Sequence, residues 1–399
     1  SIKYVLKGNG LTKEQEVIGN ISTDENWNYT FTNLPKYNNQ GNVINYSIEE
    51  QEVTANDLKF YTKAVNGFNV TNTFKVPEDK VTPRVTVTWE DSSNVNGKRP
   101  NNVKLVVKDN EGKKVKEATV TGNPTDEEWN KVFENVPKYD KNGDPIPYTV
   151  EEQPNTPDGL KFYKVKVSGD IDQGFKVTNK FEVPNDKIEL TVNKTWTDDN
   201  NANAKRPTSV KYVLTGNGLT KEQVVTGSTT IDDNWSYKFT DLPKYNAQGN
   251  EIIYTVDEQE VNPGDFKFYT KQVTDLNVTN TFTVPNDKIE VQVNKVWEDN
   301  SNANGKRPAS IKYVLSGDTL TKEQTVTGNT STNEDWSYKF TDLPKYNAQG
   351  DEIVYTVAEQ EATADGLKFY SNEITGEYKT GITITNTFTI PENKVNVKA

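Results

Sequence analysis

One tetrapeptide pattern returns four times along this chain. Leu34-Pro35-Lys36-Tyr37, Val136-Pro137-Lys138-Tyr139, Leu242-Pro243-Lys244-Tyr245 and Leu343-Pro344-Lys345-Tyr346 are spaced by 102, 106 and 101 residues. A solenoid repeat is roughly 20 to 45 residues long, so a period near 100 means that each copy owns a core and folds as a domain. Other landmarks keep the period: Trp27, Trp129, Trp235 and Trp336 precede the Pro motif, and Thr-Asn-(Thr/Lys)-Phe recurs around Asn72, Asn179, Asn280 and Asn386. A second tryptophan opens the later copies, at Trp89, Trp196 and Trp297. Ser1 to Leu6 aligns with Ser310 to Leu315, well inside copy 4, so copy 1 is expected to lack its opening strand. The copies are placed at 1–79, 80–185, 186–286 and 287–391, with 392–399 starting a further strand or repeat. With Ser1 first, no signal peptide and no Met anywhere, the chain reads as an internal fragment of something longer.

Within each copy the hydrophobic signal has period 2. Ile188, Leu190, Val192 and Trp196 share one parity while Glu189, Thr191, Asn193 and Thr195 share the other, the pattern of a half-buried strand. Ser236 to Phe239, Tyr254-Thr255-Val256 and Asn277-Val278-Thr279 read likewise, and turn clusters such as Asn246 to Asn250 punctuate them. No long 3.6-residue period competes, so the expected fold is an all-β, immunoglobulin-like sandwich of about seven strands per copy, strung as a linear array. The 19 Tyr, 15 Phe and 7 Trp argue for packed cores despite a mean hydropathy of -0.84.

Composition removes several functions. With no His and no Cys, the chain cannot build Ser-His-Asp or Cys-His nucleophile systems, His- or Cys-ligated metal sites, or disulfides. A net charge of -12 makes nucleic acid and anionic membrane poor partners, and no run approaches the ~20 apolar residues of a membrane-spanning helix.

The anomaly is polar residues on core faces. The inward parity of the first strand runs Ile188, Leu190, Val192, Lys194, Trp196 in copy 3 and Ile289, Val291, Val293, Lys295, Trp297 in copy 4. A middle strand contributes Ile252, Tyr254, Val256, Glu258 and Ile353, Tyr355, Val357, Glu359. The last strand contributes Val278, Asn280, Phe282, Val284 and Ile382, Ile384, Asn386, Phe388, Ile390. An unpaired buried charge costs several kcal/mol, so Lys, Glu and Asn should meet. Desolvation turns lysine towards a neutral amine and glutamate towards a neutral acid, and against an Asn carboxamide that pair can form a Lys-Asn amide with loss of ammonia. Parity alone leaves a second reading equally open: a strand-end lysine that snorkels to water or pairs with the Glu, with the Asn a satisfied core amide.

Val192-Asn193-Lys194-Thr195-Trp196, Asn203-Ala204-Lys205-Arg206-Pro207, Asn234 to Tyr245, Tyr254-Thr255-Val256-Asp257-Glu258 and Val278-Thr279-Asn280-Thr281-Phe282 together resemble the B-type repeat of Gram-positive collagen adhesins, the CnaB family. The resemblance covers essentially the whole chain, four times. It implies immunoglobulin-like stalk domains with self-formed Lys194-Asn280 and Lys295-Asn386 isopeptide bonds, and Glu258 and Glu359 as the acids. Copy 2 keeps Glu152 and Asn179 but has Val87 at the lysine position, and copy 1 keeps Glu50 and Asn72 while its Lys-bearing strand lies outside the chain. No bond is expected in either.

The expected role is thus a stalk segment of a wall-attached surface adhesin or pilin-like protein, outside the cell, projecting a head that binds a host ligand. No cofactor, metal or enzymatic turnover on other substrates is expected, beyond the single self-directed reaction. The alternative is that the repeats themselves hold a host matrix protein or glycan, which exposed apolar patches at each period would support. The outward parity of mostly Thr, Glu, Asn, Gln and Lys favours the stalk. The Asx-rich runs after Trp196 and Trp297 lack the spacing of a calcium loop and read as turns. Short Pro-containing junctions, Val183 to Lys187 and Val284 to Lys288, favour limited swing between copies. The chain is expected to be a monomer, the exception being donation of a strand such as Val395 to Lys398 to the open edge of another molecule's copy 1.

Overall fold

The computed structural model describes residues 1–231, 233–392 and 394, and its regular elements are all β-strands. The chain divides into two compact units: Ser1–Asn185 with Tyr245–Glu251, and Asp186–Lys244 with the chain from Ile252 onward.

Copy 3 shows the plan. One sheet orders Tyr237–Pro243, Lys187–Thr197, Asn277–Phe282 and Tyr269–Thr274, and the other orders Leu219–Thr226, Ser209–Gly216 and Thr255–Gln259. The first strand, Lys187–Thr197, and the last, Asn277–Phe282, are parallel neighbours; the other pairings are antiparallel. One continuous core takes Val192, Trp196, Phe239, Leu242 and Val278 from the first sheet and Val210, Tyr212, Leu214 and Val256 from the second. Side chains of alternate parity fill the space between the sheets, as the period-2 pattern requires. Copy 4 repeats the plan, with first strand Lys288–Glu298 parallel to last strand Gly381–Phe388. Copy 2 does so with first strand Arg84–Glu90 parallel to Gly174–Phe181, plus a short pairing of Lys80–Val81 with Val136–Pro137.

Copy 1 differs. Its three-stranded sheet of Leu11–Val17, Ile2–Gly8 and Ser47–Glu52 is present, but the last strand, Asn69–Phe74, pairs only with Tyr61–Asn66 among the described residues. Phe68 is 65% and Phe74 47% exposed, and Trp27 is half-buried where Trp129, Trp235 and Trp336 are buried.

Strict alternation fails where the first strand meets its antiparallel neighbour in copies 3 and 4. In copy 3 Ile188 faces Leu242 while Leu190 faces Phe239, so the strand Tyr237–Pro243 holds one extra residue at a bulge. Asp241 there has φ 56, and Asn33, Asn135 and Asp342 have 56, 58 and 56. Short Asx side chains tolerate this left-handed conformation, and the bulge keeps both Phe239 and Leu242 facing inwards. Ile390, which parity places in the core, is 73% exposed because its strand ends at Phe388. The strand or repeat start expected over 392–399 lies almost wholly outside the described residues.

The two most regular motifs bind each other. Tyr254 donates its hydroxyl to the Pro243 carbonyl at 2.9 Å, and Tyr46, Tyr148 and Tyr355 do the same to Pro35, Pro137 and Pro344. Gly216 makes room for that ring, since a Cβ there would lie 2.6 Å from Tyr254.

Candidate functional site

The first strand presents Lys194 to the core because Val192 and Trp196, on the same face, are 0% and 4% exposed. The last strand lies alongside in parallel, with Val278 level with Lys194 and Asn280 level with Trp196. Glu258 arrives from the opposite sheet, level with Tyr212. The three side chains meet between the sheets. Lys194 Nζ is 3.4 Å from Glu258 Oε1, with neither side chain exposed, and Lys295 and Glu359 repeat this at 3.4 Å. In copy 4 Asn386 donates its Nδ2 to Glu359 at 2.7 Å. Each ammonium also sits on its strand's tryptophan, 4.0 Å from the Trp196 ring centre and 4.1 Å from that of Trp297.

Burial pulls Lys194 and Lys295 down to about 8, with the facing glutamate opposing the shift. Burial likewise pushes Glu258 and Glu359 up against the pull of the lysines. Both shifts favour the neutral pair, amine and carboxylic acid. Apart from the 3.4 Å contact of Glu258 with Lys194, the Asn280 amide and both Glu258 oxygens have no hydrogen-bond partner among the described residues, and the carboxamide oxygens of Asn72, Asn179 and Asn386 have none there either. An unpartnered buried acceptor is costly, so a group able to donate to it has an incentive to do so.

The other copies have parts of this arrangement. Val87 is fully buried and level with Val177, two residues before Trp89, which is level with Asn179; it occupies the lysine's place. Asn179 still donates to Glu152 at 3.0 Å, and burial pushes Glu152 up to about 7 against that hydrogen bond. In copy 1 Asn72 donates to Glu50 at 2.9 Å, and Lys63 donates to the Glu50 backbone carbonyl at 2.7 Å.

Two groups were not singled out from sequence. The first is a tyrosine level with the glutamate: Tyr4, Tyr212 and Tyr313 stand opposite Glu50, Glu258 and Glu359. Copy 2 has Leu105 there, opposite Glu152. Tyr212 and Tyr313 donate to the Trp235 and Trp336 carbonyls at 2.7 and 2.8 Å, and burial raises both phenols far above their usual range. Copy 2 has thus lost the lysine and the tyrosine together. A tyrosine at an inward strand position reads simply as core, so parity gave no hint of it.

The second is a buried ion pair beside the tryptophan. Asp198 accepts from Arg206 Nε at 3.0 Å, from Tyr269 at 2.9 Å and from the Asn201 amide at 3.1 Å. Burial alone would raise this carboxyl; those hydrogen bonds hold it below the usual carboxylate range. Asp91-Arg99-Tyr163 and Asp299-Arg307-Tyr370 repeat the group. The Asx-rich run after Trp196 is the turn this ion pair closes, with Asp199, Asn200 and Asn201 at φ 48, 55 and 61. The recurring Asp and Arg eight residues apart after each opening tryptophan was the available signal.

Comparison with known proteins supplies the family. A staphylococcal collagen adhesin, from Staphylococcus aureus, is 33% identical over 339 residues, which is 85% of this chain and 26% of that protein, so the chain spans about a quarter of its relative. Two B repeat units of the collagen-binding protein of Staphylococcus aureus are 31% identical, covering 97% of this chain and 94% of that one with a TM-score of 0.31. A single B repeat unit of the same protein is 34% identical over 51% of this chain and 100% of that one, with a TM-score of 0.22. The model of the Cna protein B-type domain matches residues 1–73, 84–180, 190–286 and 291–387. Four matches that take in most of the sequence, on four successive sets of strands, show that the chain belongs to the Cna protein B-type domain family.

Proposed function

We propose that this chain is a stalk segment of a cell-surface adhesin or pilin-like protein of a Gram-positive bacterium, lying outside the cell, with copies 3 and 4 stapled by Lys194-Asn280 and Lys295-Asn386 amide bonds. The observation that carries the reading is the dry Lys-Glu-Asn cluster between the sheets, with both titrating groups pushed towards neutrality. In the reaction, the lysine ammonium gives its proton to the glutamate, and the free amine attacks the Asn Cγ. The carbonyl electron pair moves to Oδ1, which the glutamic acid stabilises by hydrogen bonding. The glutamic acid then protonates Nδ2, which leaves as ammonia as the carbonyl re-forms, and the resulting carboxylate takes the surplus proton from the attacking nitrogen. An amine and a carboxamide become a secondary amide and ammonia, and the side chain ends as the glutamic acid that preceded the attack.

The bond would join first and last strands, the two that carry tension into and out of the domain. It would also remove about 4 to 5 kcal/mol of unfolded-state entropy in the loop-closure model, without a reducible group. The host ligand is then bound by a domain beyond this chain. The test is the intact mass of the purified chain under denaturing conditions. A deficit of two ammonia molecules is expected, with tryptic peptides joining Lys194 to Asn280 and Lys295 to Asn386. A mass equal to that of the sequence would leave these residues as buried ion pairs and remove the covalent role.

A further inference from the structure

The tetrapeptide that marks the period has no part in the cross-link chemistry, yet it recurs with its tyrosine in every copy. Within the second unit, Tyr346 of copy 4 meets Phe268 of copy 3 edge to face at 5.3 Å, and Phe268 stacks on Phe282 at 6.4 Å. Lys267, next to Phe268, donates to the Tyr346 hydroxyl and lies 4.7 Å from its ring centre. Lys205 completes the contact, pairing with Asp351 at 2.8 Å and lying 5.4 Å from the Phe268 ring. The ring rests on the glycine of the turn: a Cβ at Gly350 would lie 3.1 Å from Phe268.

The first unit repeats the arrangement. Tyr139 of copy 2 meets Phe60 of copy 1 at 5.1 Å, Phe60 stacks on Phe74 at 6.4 Å, and Lys59 donates to Tyr139 at 3.0 Å while pairing with Asp79 at 2.7 Å. In the turn Tyr245–Glu251, which also belongs to this unit, Tyr245 meets Phe162 at 5.2 Å and accepts from Lys161 at 2.8 Å. Copy 1 supplies the contrast. Its Tyr37 is 53% exposed, and a Cβ at Gly41 would meet nothing within 4 Å. The other three tyrosines are half-buried.

We infer that the Leu/Val-Pro-Lys-Tyr turn is a docking surface for the Lys-Phe corner of the preceding B-type copy, and that this latch, more than the proline linker, fixes the angle between copies 1 and 2 and between copies 3 and 4. Each half is written in the sequence of every copy: Lys59-Phe60, Lys161-Phe162, Lys267-Phe268 and Lys368-Phe369 on one side, the tyrosine and glycine of the turn on the other. Aromatic edge-to-face packing with a lysine bridging to the hydroxyl gives the contact direction as well as area. It needs no cross-link in either copy, since copies 1 and 2 make it too.

The chain has no cysteine, so spin labels can be placed freely. Cysteines at the exposed positions Thr220 and Thr321 report the distance between copies 3 and 4 by pulsed electron resonance. The parent should give one narrow distance distribution. Phe268→Ala and Tyr346→Ala should each broaden it at least about twofold, Tyr346→Phe should broaden it less, and Tyr37→Ala should leave it unchanged. Amide exchange protection in copies 3 and 4, unchanged in these variants, separates a freed joint from an unfolded domain. Unchanged widths in both alanine variants, with protection intact, would overturn the latch and return the geometry to the linker; so would a broad distribution in the parent.

Discussion

A buried glutamate means different things in different copies. In copy 2, Glu152 has no lysine to meet, and burial raises its carboxyl from 4.5 to about 7. The folded form therefore holds a proton that the unfolded form releases. Its contribution to stability is full below pH 4.5, falls as pH rises to about 7 and is flat above, a loss of up to about 3 kcal/mol. Glu152→Gln keeps an acceptor for Asn179 and should abolish that slope, which exchange protection of the strand Gly174–Phe181 between pH 5 and 8 would show; an unchanged slope would place the titration elsewhere. In copy 3 the same substitution at the equivalent residue, Glu258→Gln, should stop bond formation there alone, leaving a deficit of one ammonia. The converse change is Val87→Lys with Leu105→Tyr, which rebuilds the cluster around Glu152 and Asn179. It should raise the deficit from two ammonia molecules to three, and a deficit still at two would mean that more than these side chains is missing. Lys194, Glu258 and Asn280 were legible because strand parity exposes a polar residue on an apolar face. Tyr212 was not, because an inward tyrosine violates no rule.

At the scale of the strand, the parallel pairing of first and last strands decides how load passes. Force along the chain shears Lys187–Thr197 against Asn277–Phe282, so their ladder hydrogen bonds are loaded together. With Lys194 joined to Asn280, the chain between them is bypassed. Stretching single molecules should then release hidden length from copies 1 and 2 but not from copies 3 and 4. Complete unfolding of a 100-residue copy adds on the order of 300 Å, and a gain of that size from copy 3 or 4 would contradict the covalent tie. The strands themselves were readable from alternation and turn clusters. The bulge at Asp241 was not, because an extra residue leaves the hydrophobic composition of the strand unchanged, and it is the shifted register and the φ of 56 that give it away. The Asp198-Arg206-Tyr269 group was hidden for another reason: Asp198 and Arg206 lie in a loop that has no parity to break, and Tyr269, at the start of its strand, reads as an ordinary core tyrosine.

For the molecule as a whole, four repeats of one plan make the departures informative. The glutamate and asparagine of the cluster recur in all four copies, whereas positions that differ, such as Val87 for lysine and Leu105 for tyrosine, change what each copy can do. Periodicity revealed the array at once, since it depends on nothing but sequence comparison. The joints between copies stayed unread because each is made by residues about 80 apart, Lys59 with Tyr139 and Lys267 with Tyr346, neither of which is unusual in its own strand or turn. The valine at position 87 has a consequence for the array. A tether whose every bead is covalently closed transmits a sudden pull undiminished to its attachment points. One bead that opens under load and closes again afterwards turns part of that work into heat, so copy 2 would serve as the tether's resettable fuse.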